Sequence, residues 1–304
     1  MMLATLSLGG CGDGMPLDAV GATPVTQAGD LRVMSYNIRY NTVADGESAW
    51  PNRRDALASQ VRFNRPEIGG LQEVLAGQLR DLEQRLPEYT FVGVGRDDGA
   101  EAGEFSPVFF DGNRFTMLDG GTFWLSETPE VPGSVGWDAS LPRIVTWVQL
   151  ADSVSGRTVI FFNTHFDHQG QVAREQSAIL MRQRIADLAG PDALFVITGD
   201  FNVTPDNPAY ASMTEGALPI PVDDALGKTM TPHHGPEETY FGFTVTCDRA
   251  TPPLLGGSTV TPRRIDYIFV APALQVRRHA TLTGSRDGRY LSDHQAVLAD
   301  LVLP

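Results

Sequence analysis

Carboxylate, amide and imidazole side chains follow four apolar runs of the sequence, at the places where β-strands are expected to end. They are Asn37 after residues 33–36, Glu73 after 68–71, His165 and His168 after 159–162, and Asp200 and Asn202 after 194–197. Such groups are costly to remove from water unless they are paired or bind a cation. Ligand sites in α/β proteins also gather at strand ends. The spacing therefore predicts that these side chains meet in one site.

Two further polar groups interrupt or precede apolar runs near the C-terminus. Asp266 lies inside the run 264–270, and Asp293 and His294 come directly before the run 295–301. Each polar residue has a structural explanation when it is taken alone, such as an Asx turn at 199–202 or a helix-start acid at Glu73. Their joint occurrence at strand ends favours chemistry over separate structural roles.

The elements that must position these residues are short strands mixed with helices. Strands are predicted at 31–36, 68–74, 108–110, 115–118, 122–125, 144–150, 158–163, 194–198, 264–270, 276–282 and 295–301. Helices are predicted at 51–64, along the stripe Leu75, Leu79, Leu82 and Leu86, and through Ala178, Met181, Ile185 and Leu188. Several consecutive strands without a helix argue against a doubly wound sheet. Two packed sheets with helices outside fit the pattern better.

The composition indicates a globular protein with an acidic surface. The chain has 304 residues, 42% of them hydrophobic, and its formal net charge is −14. Disorder, collagen and coiled coil are thus excluded as descriptions of the whole chain. So acidic a protein has no general attraction for a phosphate backbone. Phosphate groups must then be handled locally, by a metal ion or by a few aimed cations.

The N-terminal segment differs in character from the rest of the chain. Residues 8–11 (LGGC) resemble a bacterial lipobox, in which small residues precede a lipidated cysteine. We therefore expect residues 1–29 to be a signal segment and flexible linker, and residues 30–304 to be one catalytic domain. Lipidation of Cys11 predicts an exported protein of the bacterial cell envelope, anchored to the membrane only through that lipid, or an extracellular one. A frayed terminus is the alternative interpretation.

Six motifs, taken together and in order, resemble those of the endonuclease/exonuclease/phosphatase superfamily. They are residues 35–39 (SYNIR), 71–74 (LQEV), 164–168 (THFDH), 199–202 (GDFN), 264–268 (RIDYI) and 292–294 (SDH). The resemblance extends from about residue 31 to residue 303 and implies a four-layer α/β/β/α sandwich. In that architecture two packed mixed β-sheets are flanked by helices, with the site at one end of the sheets.

The resemblance also implies a role for each matching position. Glu73 corresponds to the principal Mg²⁺ ligand, with Asn37 beside it and Asp293 as a further acid on the metal side. Oxygen ligands suit Mg²⁺, and Mn²⁺ is a possible substitute. Asp200 and Asn202 correspond to residues that position the attacking water and the phosphorus.

The remaining correspondences concern the histidines and the phosphate contacts. His294 matches an essential histidine that Asp266 orients, and His165 matches a second phosphate-facing histidine that Glu104 orients. Arg143 and His168 match phosphate-binding positions. The general base is either Asp200 or the His294–Asp266 pair. Segment 239–243 resembles a family loop near the substrate, without an assigned contact.

The function expected from these motifs is divalent-metal-dependent hydrolysis of a phosphate monoester or diester by an activated water. A small, nucleotide-like or lipid-headgroup substrate fits the acidic composition, from which we expect weak or no binding of duplex DNA. A secreted nuclease and a catalytically silent binding module are the alternatives. Arg39 occupies a place where some abasic-site endonucleases carry an aspartate, which argues against that role and against a second metal at this position.

Overall fold

The structure is a computed structural model that describes residues 30–190, 193–215, 220–243, 245 and 261–304. The expected signal segment and linker, including Cys11, lie outside these residues, as does Cys247. Within the described ranges, no helix is both long enough and apolar enough to cross a membrane.

Most of the strands form two large sheets. In chain order the strands are β1 (Asp30–Asn37), β2 (Ile68–Gln72), β3 (Tyr89–Val92), β4 (Val108–Asp111), β5 (Phe115–Trp124), β6 (Ile144–Asp152), β7 (Thr158–His165), β8 (Leu194–Asp200), β9 (Asp223–Asp224), β10 (Asp266–Val270), β11 (Gln275–Leu282), β12 (Ser285–Arg286), β13 (Arg289–Tyr290) and β14 (Ala296–Val302). The first sheet has the order β11-β14-β1-β2-β4-β3, and the second has the order β5-β6-β7-β8-β10-β9. Both are mixed, because β1 pairs with β2 and β7 with β8 in parallel while their other pairs are antiparallel.

Helices cover the outer faces of the two sheets. They are α1 (Trp50–Asn64), α2 (Ala76–Arg85), α3 (Gln171–Ala189), α4 (Pro208–Thr214) and α5 (Ala225–Lys228), with a short 3-10 segment at Val43–Ser48. Leu57 of α1 and Leu82 of α2 pack with Met34 and Leu71 of the first sheet. The apolar face of α3 joins the core of the second sheet through Met181. The predicted sandwich of two sheets flanked by helices is confirmed.

Several predicted boundaries were wrong and several elements were missed; the strand predicted over 264–270, for example, begins at Asp266. The runs 115–118 and 122–125 are a single strand, β5, whose register against β6 shifts between Met117 and Asp119. The strand predicted over 68–74 ends at Gln72, because Glu73 adopts a left-handed φ of 60°. The sequence did not predict β3, α4 or the short elements β9, β12, β13, α5 and the 3-10 segment. The helix α4 nevertheless has the usual start signals of a capping Asn207 followed by Pro208.

A buried polar junction joins the sheets at one end of the sandwich. Asn163 on β7 accepts hydrogen bonds on its Oδ1 from Gln72 Nε2 at 2.7 Å and from Thr198 Oγ1 at 2.9 Å. Its Nδ2 donates to the carbonyl oxygen of Leu71 at 2.7 Å. Gln72 and Leu71 belong to the first sheet, while Asn163 and Thr198 belong to the second. The junction therefore sets how the sheet ends that carry the predicted site lie against each other.

Gly70 of β2 leaves the room that this junction needs. A Cβ atom at Gly70 would lie 2.2 Å from both Asn163 Oδ1 and Thr198 Oγ1. We therefore expect Gly70→Ala to lower the free energy of unfolding by about 1–3 kcal/mol, the usual cost of overpacking. Chemical denaturation measures this. The control is Gly77→Ala on the exposed side of α2, where a Cβ meets nothing within 4 Å. Equal stability of the two variants would show that the junction tolerates displacement.

Candidate active site

Strand register brings the predicted residues together at one end of the sandwich. Pairing of β8 with β7 places Asp200 opposite His165, and pairing of β8 with β10 places Asp200 opposite Asp266. In the first sheet, Asn37 lies opposite Gln72, one residue before Glu73. His294 precedes β14, which pairs with β1. Both sheets therefore contribute side chains to the same end.

A cavity of about 730 Å³ opens at this end. It is lined by nine of the predicted residues: Glu73, Glu104, Arg143, His165, His168, Asp200, Asn202, Asp293 and His294. The other two, Asn37 and Asp266, are buried behind it and hydrogen-bonded to lining residues. The structure thus brings together all eleven positions.

Unusual backbone conformations direct several side chains at the cavity. Glu73, Asn202 and Arg39 have left-handed φ values of 60°, 52° and 56°. Such a conformation is uncommon for residues other than glycine and costs of the order of 1–3 kcal/mol. Strain of this kind persists only where the surroundings compensate for it, and it clusters at functional sites.

Asn37 connects the acidic groups of the two sheets. Its Nδ2 donates to Glu73 Oε1 at 3.1 Å and to Asp200 Oδ2 at 3.0 Å, while its Oδ1 accepts from the backbone N–H of Arg39 at 2.9 Å. Glu73 Oε2 also accepts from the backbone N–H of Tyr40 at 3.1 Å. In this arrangement Asn37 positions two carboxylates.

Two sets of side chains in the described residues have donor atoms that suit a cation. Glu73 and Asp293 line the cavity with carboxylate oxygens, the ligands that Mg²⁺ prefers, and Asn37 lies behind Glu73. Asp200, Asp266 and His294 form a second set, with ligand atoms within 4.8 Å of one another. In that second set a short hydrogen bond already joins Asp266 to His294, so a proton competes with a cation there. The donor chemistry therefore fits a hard divalent cation better at Glu73.

The buried pair of Asp266 and His294 is the strongest electrostatic feature of the site. Asp266 Oδ2 lies 2.8 Å from His294 Nδ1 and accepts a second hydrogen bond from Thr239 Oγ1 at 2.5 Å. His294 Nε2 lies 3.7 Å from Asp200 Oδ2. Burial lowers the pKa of His294, but the charges of Asp266 and Asp200 outweigh it and raise the pKa to about 10. His294 is therefore an imidazolium at neutral pH.

Asp200 lies between the two histidines. Its Oδ2 is 3.6 Å from His165 Nε2, and its Oδ1 accepts from the backbone N–H of Asn202 at 2.9 Å. Burial, together with the neighbouring charge of Asp266, raises the pKa of Asp200. A carboxylate with a raised pKa is a stronger base than an exposed one.

The ring of His165 is neutral, and only one of its two nitrogens has a hydrogen-bond partner. Its Nε2 lies 3.1 Å from Asn202 Nδ2, and its buried Nδ1 has no hydrogen-bond partner. Burial and the charge of Arg143 lower its pKa to about 3. Glu104, expected to orient this ring, stands 3.6 Å from Nδ1, beyond hydrogen-bond distance, and forms a two-pronged ion pair with Arg96 instead.

Arg143 presents an unused donor at the cavity. Its Nε lies 3.4 Å from Asp167 Oδ2, and its Nη2 lies 2.9 Å from His168 Nδ1, while its buried Nη1 has no hydrogen-bond partner. An oxygen of a bound phosphate could satisfy Nη1. His168, which is half-exposed, contacts Arg143, so it supports this guanidinium as well as lining the cavity.

The structure places further residues at the site that sequence reasoning missed. Thr239 holds Asp266, the Tyr240 ring lies 4.9 Å from His294, and Arg174 and Arg263 line the cavity. In the sequence, the only indication of Thr239 and Tyr240 was the resemblance of segment 239–243 to a family loop near the substrate. Arg96 lies in a glycine-rich loop, where no motif marks it.

The two-sheet sandwich and its charged end cavity are those of enzymes that hydrolyse phosphoesters. The chain belongs to the Endonuclease/Exonuclease/phosphatase family, whose sequence pattern matches residues 34–294. A solved family protein from Bacteroides thetaiotaomicron is 35% identical, with a TM-score of 0.81 over 90% of this chain and 98% of that one. A mannosyl-6-phosphatase from the same species is 35% identical, with a TM-score of 0.79 over 90% and 100% of the two chains.

A curated relative is much longer. An uncharacterized protein of Acanthamoeba polyphaga mimivirus is 22% identical over 295 residues, covering 84% of this chain and 41% of its own length. The chain therefore spans about two fifths of that relative.

The raised pKa of His294 predicts a pH dependence of stability. Between the unfolded value of about 6.5 and the folded value of about 10, the native state binds more protons than the unfolded state. The stabilising contribution of His294 is therefore complete below about pH 6.5 and declines as pH rises toward about 10. Denaturation at several pH values should show the stability advantage of wild type over His294→Gln shrinking across this range. An advantage that grew with pH would contradict the ion pair, and Asp266→Asn should flatten the dependence.

Proposed function

We propose that this protein is a divalent-metal-dependent phosphomonoesterase that acts on a small polyhydroxylated phosphate such as a sugar phosphate. The observation that carries the proposal is the charge balance of the cavity. Four arginines (Arg39, Arg143, Arg174 and Arg263) and four carboxylates (Glu73, Glu104, Asp200 and Asp293) line it. These charges cancel, and the imidazolium of His294, which also lines the cavity, is balanced by Asp266 behind it. A bound divalent cation would therefore give the cavity the net positive charge that attracts a dianionic monoester.

The donor set supports a cation held by Glu73 and Asp293, with Asn37 hydrogen-bonded to Glu73. When bound, the cation neutralises phosphate charge and makes water more acidic. Arg143 Nη1 would take a phosphate oxygen, because it is a buried donor without a partner. Asn202 and His165 line the same cavity from the strand ends of the second sheet.

The proton steps fall to the buried acids and to His294. Asp200, with its raised pKa, aligns the attacking water and takes its proton. His294, protonated and held by Asp266, stabilises the charge that develops on the phosphate oxygens. Attack would be in line: the water oxygen bonds to phosphorus as the bond to the substrate's ester oxygen breaks, and that oxygen leaves as a hydroxyl after taking a proton from solvent.

Size and lining favour a small polar substrate. A cavity of about 730 Å³ is within the usual range for small-molecule sites. Its apolar lining is limited to Leu141, Val203 and Ile265 beside the rings of Tyr40 and Tyr240. The mannosyl-6-phosphatase that is 35% identical over 90% of this chain supports a hexose phosphate as the first candidate.

A substrate panel tests the proposal. With Mg²⁺, we expect hexose 6-phosphates to be hydrolysed with a higher kcat/KM than phosphodiesters, inositol phosphates, sphingomyelin or plasmid DNA. Plasmid nicking should be weak at about 0.15 M salt, because a chain of net charge −14 gains little from the DNA backbone. A diester or DNA as the best substrate would overturn the monoesterase assignment in favour of a diesterase or nuclease.

Metal dependence is tested at Glu73. We expect Glu73→Gln to lose turnover by about 10² or more while its unfolding midpoint changes little, because the variant keeps the shape but removes the ligand charge. Glu83→Gln, on the exposed face of α2, is the matched control and should keep full activity. Mg²⁺ or Mn²⁺ should restore wild-type activity after EDTA. Full turnover in excess EDTA would contradict the assignment.

We propose further that Cys11 carries a lipid in the native host, which would place the enzyme at the cell envelope. The support is the LGGC motif followed by a polar segment. Mass spectrometry of the native protein should show Cys11 at the mature N-terminus with a diacylglyceryl mass, and Cys11→Ser should move the protein to the soluble fraction. An intact, unmodified Cys11 would refute the anchor.

A further inference from the structure

Arg96 is buried beside the phosphate side of the cavity without lining it. Its Nη1 and Nη2 donate to Glu104 Oε2 and Oε1 at 2.8 and 3.0 Å. Its backbone N–H donates to the Glu104 carbonyl at 3.1 Å, and its own carbonyl accepts from Trp124 Nε1 at 2.7 Å. The guanidinium plane and the carboxylate it binds are therefore fixed from both the side chain and the backbone.

The ion pair with Arg96 fixes how close the Glu104 carboxylate comes to His165. Glu104 Oε2 stops 3.6 Å from His165 Nδ1, although that nitrogen is buried and has no hydrogen-bond partner. Because His165 Nε2 lies 3.1 Å from the amide Nδ2 of Asn202, it is the acceptor nitrogen of a neutral ring. The single ring proton is then on Nδ1 and faces Glu104.

Charges of both signs surround His165. Arg143 and Arg96 disfavour a second proton on the ring, while Asp200, Glu73 and Glu104 favour one. Burial and Arg143 dominate and keep the pKa at about 3. Removal of Arg96 would both release the Glu104 carboxylate toward the ring and delete an opposing charge.

We propose that Arg96 is a positioning residue that acts through Glu104 to keep His165 neutral, with its proton on Nδ1. The arrangement leaves His165 Nε2 directed at Asn202 and the phosphate space. Arg96 itself contacts no substrate. The kinetic part of the test rests on the proposed function, whereas the spectroscopic part does not.

The test is nitrogen NMR of the His165 ring in protein free of metal and substrate, between about pH 5 and pH 8. The His165→Gln variant assigns the resonance. Variants Arg96→Gln and Arg96→Lys are compared with Arg114→Gln. Arg114 forms a similar two-pronged ion pair with Asp152, at 2.8 Å for both contacts, outside the cavity lining.

In wild type we expect one neutral form, protonated on Nδ1, over the whole range. In Arg96→Gln the ring should titrate inside it, with a pKa higher by about two units or more, which is about a hundredfold in proton affinity. Arg96→Lys keeps the positive charge but loses the two-pronged contact with Glu104, so its His165 pKa should be intermediate. Addition of Glu104→Gln to Arg96→Gln should reverse most of the shift. Arg114→Gln should lose stability only.

An unchanged His165 spectrum in folded Arg96→Gln would overturn the proposal. If that variant does not fold, Arg96→Lys decides by the same readout. The acid limb of kcat/KM on the best ester should move with the NMR transition. If wild type hydrolyses no ester, the proposed function fails, but the NMR result still tests the role of Arg96.

Discussion

The position of every proposed functional group depends on how the two sheets are held together at one end. Glu73 and Asn37 extend from the first sheet, and His165, Asp200 and Asp266 from the second. Their relative distances are set where Asn163 binds Gln72 of the first sheet across the interface, while Thr198 of its own sheet binds the same oxygen of Asn163. An apolar interface would tolerate sliding, since hydrophobic contacts are not directional. Hydrogen bonds in a buried junction impose one registry, because an unpaired buried polar group is costly.

The buried charges at this end are arranged in clusters of opposite sign. Two carboxylates, Asp200 and Asp266, share one imidazolium at His294. Two arginines, Arg96 and Arg143, face Glu104 and Asp167. Two of the buried donors without a hydrogen-bond partner, Arg143 Nη1 and His165 Nδ1, belong to residues that line the cavity. A site built this way is preorganised, because its charges need little rearrangement when an anion binds.

The sequence predicted the residues whose position follows from strand order. Glu73, Asp200 and Asp266 lie at or beside the ends of buried apolar strands, so the pairing that forms the sheets also brings them together. Arg96 could not be predicted, because its contact with Glu104 depends on a loop that folds back on itself between Gly95 and Phe105. The division of β5 into two predicted strands failed because Gly120 and Gly121 resemble a turn in sequence, yet they continue the strand beside a register shift. The roles of the individual site residues stay predictions.

In the proposed site, Glu73 and Asp293 hold the cation while Arg143 and His294 face the phosphate. Crystals soaked with Mn²⁺ and orthovanadate test it directly, because the anomalous signal of manganese locates the ion. We expect one manganese peak bound by Glu73 and Asp293, with vanadate oxygens on Arg143 Nη1 and near His294. A manganese ion bound instead by Asp266 and His294 would contradict the account, because it would replace the proton that these two residues share.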